Sequence, residues 1–126
     1  MMAIEQGPDY SWSTKALKAR LPVLREEIRS ALLRVDAERY GDIAGQVHDM
    51  KDQSLAAALA GVTDAEIARD VTEVADIEAA LQRLAAGAYG KCIDCGTQIP
   101  RARLEAYPTA KRCQPCQRAH EAKTTR

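Results

Sequence analysis

The sequence predicts an all-α-dominated fold: an antiparallel helical hairpin of coiled-coil type, then a small C-terminal module clamped by four cysteines, with a C-terminal helix. Three observations carry that expectation. The 126 residues contain no Phe, one Trp and four Tyr, whereas large aromatics usually dominate the core of a compact globule. Hydrophobic residues make up 46% and charged residues 29%, with Ala and Leu prominent, which suits helices packed along a seam. The four cysteines fall in two CxxC pairs near the C-terminus.

Residues 1–12 contain Gly7 and Pro8 among mixed polar residues and read as a flexible N-terminal arm. The hairpin is assigned to 13–88. Its first helix carries Leu17, Leu21, Leu24, Ile28, Ala31 and Val35, an alternation of four- and three-residue steps that is the a/d rhythm of a coiled-coil strand. Pro22 interrupts it, so a start or kink is expected there, with the helix running to about Tyr40. Residues 41–53 hold two glycines and no evident stripe, and read as a connection. The hairpin tip is placed at about 41–54.

The second helix is expected from about Ser54 to Ala86. Ile67, Val74, Leu81 and Ala88 recur every seven residues, with Ile77 and Leu84 on the neighbouring row. Gly61 and the Thr63–Glu66 pair, which fits a capping box, hint at a break inside it, and both one bent helix and two abutting helices fit the pattern. Gly87 suits the end, since glycine tolerates the left-handed cap conformation. About 30 residues at ~1.5 Å each would make an arm of roughly 45 Å. Periodicity alone fits half of a helical bundle equally well.

Lys+Arg and Asp+Glu both number 18, a balance unlike that of a general nucleic-acid coat protein. The distribution is uneven. Residues 1–90 hold 10 basic and 15 acidic side chains, and residues 91–126 hold 8 and 3, giving net charges of −5 and +5. No apolar stretch approaches the ~20 residues that span a bilayer. The N-terminus has neither the basic nor the apolar region of a signal peptide. A cytoplasmic protein is expected, with its thiols reduced and available as metal ligands.

Residues 89–126 form the second unit. Cys92 and Cys95 are separated from Cys113 and Cys116 by the seventeen residues Gly96–Arg112. This CxxC-x17-CxxC spacing is that of a structural zinc site. Four soft thiolates close a tetrahedron around Zn2+, each knuckle supplying two, and no position is left open for catalysis. Gly96 lets the chain turn back behind the first knuckle. Lys91, Lys111 and Arg112 stand ready to offset the centre's negative charge. So small a module cannot bury enough surface to fold alone, and metal supplies much of its stability.

The run CIDCGTQIPRARLEAYPTAKRCQPC resembles the four-cysteine zinc finger of the DksA/TraR family of bacterial transcription regulators. Beyond the cysteines it shares Ile99, Arg103, Leu104, Glu105, Ala106 and Pro108. It departs at Ile93, where the family usually has a small or acidic residue. The rest of the chain is similar to the longer, DksA-like members, which insert an antiparallel coiled coil into the secondary channel of RNA polymerase. Their tip carries a D-x-x-D-x-A motif. Asp49, Asp52 and Ser54 fall at the corresponding place, with Ser instead of Ala. Residue types alone also allow Asp52 to be a helix cap and Asp49 a turn residue.

The resemblance further implies that Arg69 contacts the polymerase rim. It implies weak or absent ppGpp binding. The cationic residues expected before the finger's Pro and after its last Cys are Tyr107 and Gln117 here, and Asp76 replaces a usual lysine; a polyphosphate favours guanidinium and ammonium groups. The expected function is therefore a monomeric transcription regulator that binds RNA polymerase without sequence-specific DNA contacts and modulates promoter-complex stability. The alternative is a zinc module binding nucleic acid through its basic C-terminal region, against which stands the shortage of aromatics for base stacking. No nucleophile–base constellation marks an enzyme. His48 is the only histidine outside the finger region.

Overall fold

The computed structural model describes residues 8–124, so most of the expected N-terminal arm, residues 1–7, lies outside the described residues. Five helices follow in order: α1 (Ser11–Ala44), α2 (Asp52–Ala58), α3 (Ala65–Ala85), α4 (Arg101–Ala106) and α5 (Gln114–Thr124). The only extended pairing among the described residues is an isolated bridge between Lys91 and Gln98.

α1 and α3 form the antiparallel hairpin. Leu17, Leu24, Ile28, Ala31 and Leu32 of α1 are buried against Ile67, Val74, Ile77 and Ala80 of α3. Arg20 pairs with Glu73 at 2.9 Å and Arg34 with Glu66 at 3.5 Å. These half-exposed ion pairs mark the register, while burial of the apolar stripe supplies most of the stabilisation.

Two local details differ from expectation. α1 starts at Ser11 and passes through Pro22 with helical dihedrals. Pro22 and Lys18 are both exposed, so the carbonyl freed by the missing N–H faces water. The break falls instead at Asp36 (φ −164, ψ 89), whose Oδ1 accepts from the Arg39 N–H at 3.0 Å and restarts the helix. Val35, the last residue of the a/d stripe, is consequently 49% exposed.

Beyond Asp36 the chain folds back. Ala44, Val47, Leu55 and Leu59 are all buried, Val47 and Leu55 completely, and α2 packs against α3. The expected tip, 41–54, therefore lies along the side of the hairpin and not at its end. The Arg25 guanidinium donates to the Val47 carbonyl at 2.6 Å. Arg25 lies nine residues before Arg34, which faces the start of α3; at ~1.5 Å per residue the 45–51 turn sits about 13 Å short of that end. The physical reason is a second apolar stripe, Tyr40, Ile43, Ala44, Val47 and Met50, out of phase with the first.

The second helix is broken as Gly61 suggested, with residues 59–64 between α2 and α3. The cap of α3 is Asp64, which accepts from the Ile67 N–H at 3.1 Å, in place of the expected Thr63–Glu66 box. Gly87 takes a positive φ of 73° just past α3.

Candidate metal centre and acidic turn

The finger is assembled from two tight turns. Gly90 and Gly96 take positive φ values of 82° and 77°, a region where a side chain is strained. The Gly96 N–H reaches the Cys92 carbonyl at 2.9 Å, and the Cys92 N–H reaches the Thr97 carbonyl at 2.8 Å. These bonds wrap the first knuckle. The second starts α5, where the Gln117 N–H donates to the Cys113 carbonyl at 2.9 Å. The Ile93 N–H joins the two through the Lys111 carbonyl at 2.9 Å.

All four cysteine sulfurs lie within 4.8 Å of one another. Cys95 Sγ and Cys113 Sγ are 3.7 Å apart. A tetrahedron with Zn–S bonds of ~2.3 Å has S···S edges of about 3.8 Å, so the donor set and its spacing fit one zinc ion.

The thiols themselves are poised unequally. Burial opposes ionisation of Cys92, but backbone contacts with Cys113, Cys95 and Asp94 outweigh it and bring the thiol down to about 6. The Thr97 hydroxyl and backbone lower Cys95. Its neighbours Cys113, Cys92 and Cys95 push Cys116 up. Four thiolates this close repel one another unless a cation sits among them. When bound, Zn2+ removes that repulsion and ties the two knuckles into one unit.

Of the cations expected to offset the centre, Arg112 pairs with Asp94 at 2.8 Å and Lys91 and Lys111 are exposed. Arg103 donates to the Arg112 carbonyl at 3.1 Å, bracing the second knuckle from α4. Ile99, Leu104 and Ala110 form the finger's small core.

The finger is fastened to the hairpin through Tyr89. Its hydroxyl accepts from Ser13 Oγ at 2.6 Å and donates to the Pro108 carbonyl at 2.7 Å. Tyr10 packs edge-on against the Tyr89 ring, centroids 4.8 Å apart. Arg101 of α4 stacks over Trp12 at 5.0 Å.

The acids are separated in character. Asp49 is exposed on the turn, its N–H bonded to the Gln46 carbonyl at 3.0 Å. Asp52 is the first residue of α2 and pairs with Arg25, their side chains only 17% and 13% exposed. The N-cap of α2 is Lys51, with no side-chain capping bond, and Asp52 is the acid of the first turn, where negative charge is favoured. Glu78 of α3 lies against Asp52, and the contact raises the Glu78 pKa, with burial adding to it. Ser54 is exposed within α2. Arg69 is not near these acids: it lines a cleft of 720 Å³ between hairpin and finger, with Arg20, Asp76 and Tyr107. Arg25 and Glu78 carry no sequence signal beyond flanking apolar stripe positions, and Tyr89 shows in the sequence only as one of the finger region's two aromatics.

The model of the prokaryotic dksA/traR C4-type zinc finger matches residues 87–122. Two curated relatives, from two strains of Caulobacter vibrioides, are each named RNA polymerase-binding transcription factor DksA. Each is 31% identical over 108 residues, which is 85% of this chain and 71% of the relative. A solved structure of transcription factor DksA2 from Pseudomonas aeruginosa aligns over 94% of both chains with 24% identity and a TM-score of 0.46. The likeness to the Caulobacter proteins thus runs well beyond the finger into the helical region before it, and the chain belongs to the DksA/TraR family.

Proposed function

We propose that this chain is a transcription regulator that acts by binding RNA polymerase directly, with a structural zinc finger and without sequence-specific DNA contacts. The observation that carries the reading is the 31% identity over 85% of the chain to proteins named for binding RNA polymerase. In this reading the hairpin addresses the secondary channel, Asp49 and Asp52 are the acids that act at the active centre, Ser54 tunes their contacts, and Arg69 touches the channel rim. Carboxylates on a turn can engage basic groups or metal-bound water in such a site, Asp52 once it is freed from Arg25. The outcome is altered promoter-complex stability. The protein acts as a monomer in the cytoplasm and is not an enzyme.

The nucleic-acid alternative is disfavoured by how the basic residues are used. Arg101 pairs with Glu105 at 2.6 Å and stacks on Trp12. Arg103 and Arg112 are committed to the second knuckle and Asp94. ppGpp binding is expected to be weak or absent, because Tyr107, Gln117 and Asp76 stand where the family resemblance calls for cations.

Co-sedimentation with bacterial RNA polymerase, beside a salt-dependent shift assay on bare duplex DNA, separates the two readings. Binding to polymerase and not to DNA is expected. Binding to DNA alone would overturn the proposal.

A further inference from the structure

We infer that the segment between Asp36 and Asp64 is a latched flap: Arg25 holds it folded back on the hairpin, and its release frees Asp52 and lets the acidic turn move outward to the polymerase. The inference rests on the polymerase reading and names a regulation of that site.

The hinges are on the page. Asp36 is the one residue between Ser11 and Ala44 with non-helical dihedrals. It is neither Pro nor Gly, and it is exposed, so a change at a single residue separates a kinked α1 from a straight one. At the other end, residues 59–64 part α2 from α3 around Gly61, beside which a Cβ would meet nothing within 4 Å. Hinges are few residues that absorb a large dihedral change.

The latch is equally local. Arg25 grips the Val47 carbonyl and the Asp52 carboxylate at once. A second, exposed tie joins His48 Nε2 to Glu26 at 3.0 Å. The closed state is stabilised by complete burial of Val47 and Leu55, which makes it the resting form. Glu78 of α3 lies against Asp52, beside the Arg25–Asp52 pair, and a second carboxyl group there sets negative charge against the latch. In the closed form Asp52 is paired with Arg25 and the turn is set back from the hairpin end. Both acids act together only after Arg25 lets go. A binding-competent state that is a minor fraction weakens apparent affinity by that fraction.

Two substitutions move the latch in opposite directions. Arg25→Gln removes the grip; hydrogen exchange of the free full-length chain is expected to speed up about tenfold or more in 37–58 while Ile67–Ala85 is unchanged. Glu78→Gln removes the repulsion and is expected to slow exchange in 37–58. Affinity for bacterial RNA polymerase core enzyme should follow, tighter by about tenfold for Arg25→Gln and weaker for Glu78→Gln. Altered exchange with unaltered affinity, or unaltered exchange in both variants, would overturn the latch and leave the polymerase reading standing. If Arg25→Gln loses protection along the whole chain, Glu78→Gln decides by the same criteria. Failure of wild type and both variants to bind polymerase would remove the polymerase reading, and the inference with it.

Discussion

Ser13 and Tyr89, 76 positions apart in the chain, share a buried hydrogen bond of 2.6 Å that seats the zinc finger on the first turn of the hairpin. Ser13 is fully buried, and the same tyrosine hydroxyl also serves the Pro108 carbonyl. Tyr89→Phe leaves both partners without their bond. The expected loss is about 1–3 kcal/mol in chemical denaturation. Ser13→Ala in the same background should cost less than it does alone, because the two residues act as a unit.

Gly90 gives a second handle on the same joint. Its φ is +82°, and a Cβ there would run into the Tyr10 hydroxyl. Gly90→Ala is expected to lower stability by at least about 1 kcal/mol. Trp12, the only tryptophan, sits at the joint over Arg101, so its fluorescence should report the loosening directly.

Metal removal should act locally. Chelation is expected to abolish the ordered finger, while α1 and α3, whose stripe is buried without metal, keep most of the helical circular dichroism signal. Cys95→Ser should reproduce the effect and bring bound zinc below one equivalent.

Two carboxylates set opposite pH trends. Burial, then Glu27, Glu66 and Glu73, raise the pKa of Asp70, and its Oδ2 is buried without a partner. The folded state therefore holds this proton more tightly than the unfolded chain. Its stabilising contribution is full below the unfolded value of 3.8 and is lost as pH rises through the raised one. Asp70→Asn should remove that loss and stabilise the protein at neutral pH by about 1 kcal/mol in urea denaturation. Glu26 behaves in reverse. Arg29, then His48 and Ser30, hold it down at about 2, so its contribution is present above the ordinary 4.5 and fades as pH falls toward 2.

Much of this architecture is written plainly in the chain. Ile67, Val74 and Ile77 mark the buried face of α3, because a long helix repeats its apolar side often enough to be recognised. The finger is legible because metal geometry demands a particular cysteine spacing. The fold-back is harder to read. Its helical pieces are short, and α2 has only seven residues, too few for a period to stand out against alanine. The rhythm Tyr40, Ile43, Val47, Met50 is present all the same, shifted in phase from Val35. That shift is the local sign of the break at Asp36, whereas Pro22, the louder signal, sits where an exposed carbonyl can tolerate it. The Arg25–Asp52 pair was beyond reach, since it depends on that fold-back and not on sequence spacing.

Asp49 and Asp52 are expected to act on RNA polymerase. In vitro transcription from a ribosomal-type promoter tests it most directly, comparing wild type with Asp49→Asn/Asp52→Asn at concentrations where both are bound to polymerase. The wild type is expected to change promoter-complex lifetime, and the double variant to bind and leave it unchanged. Equal effects from both proteins would remove the two acids from the mechanism.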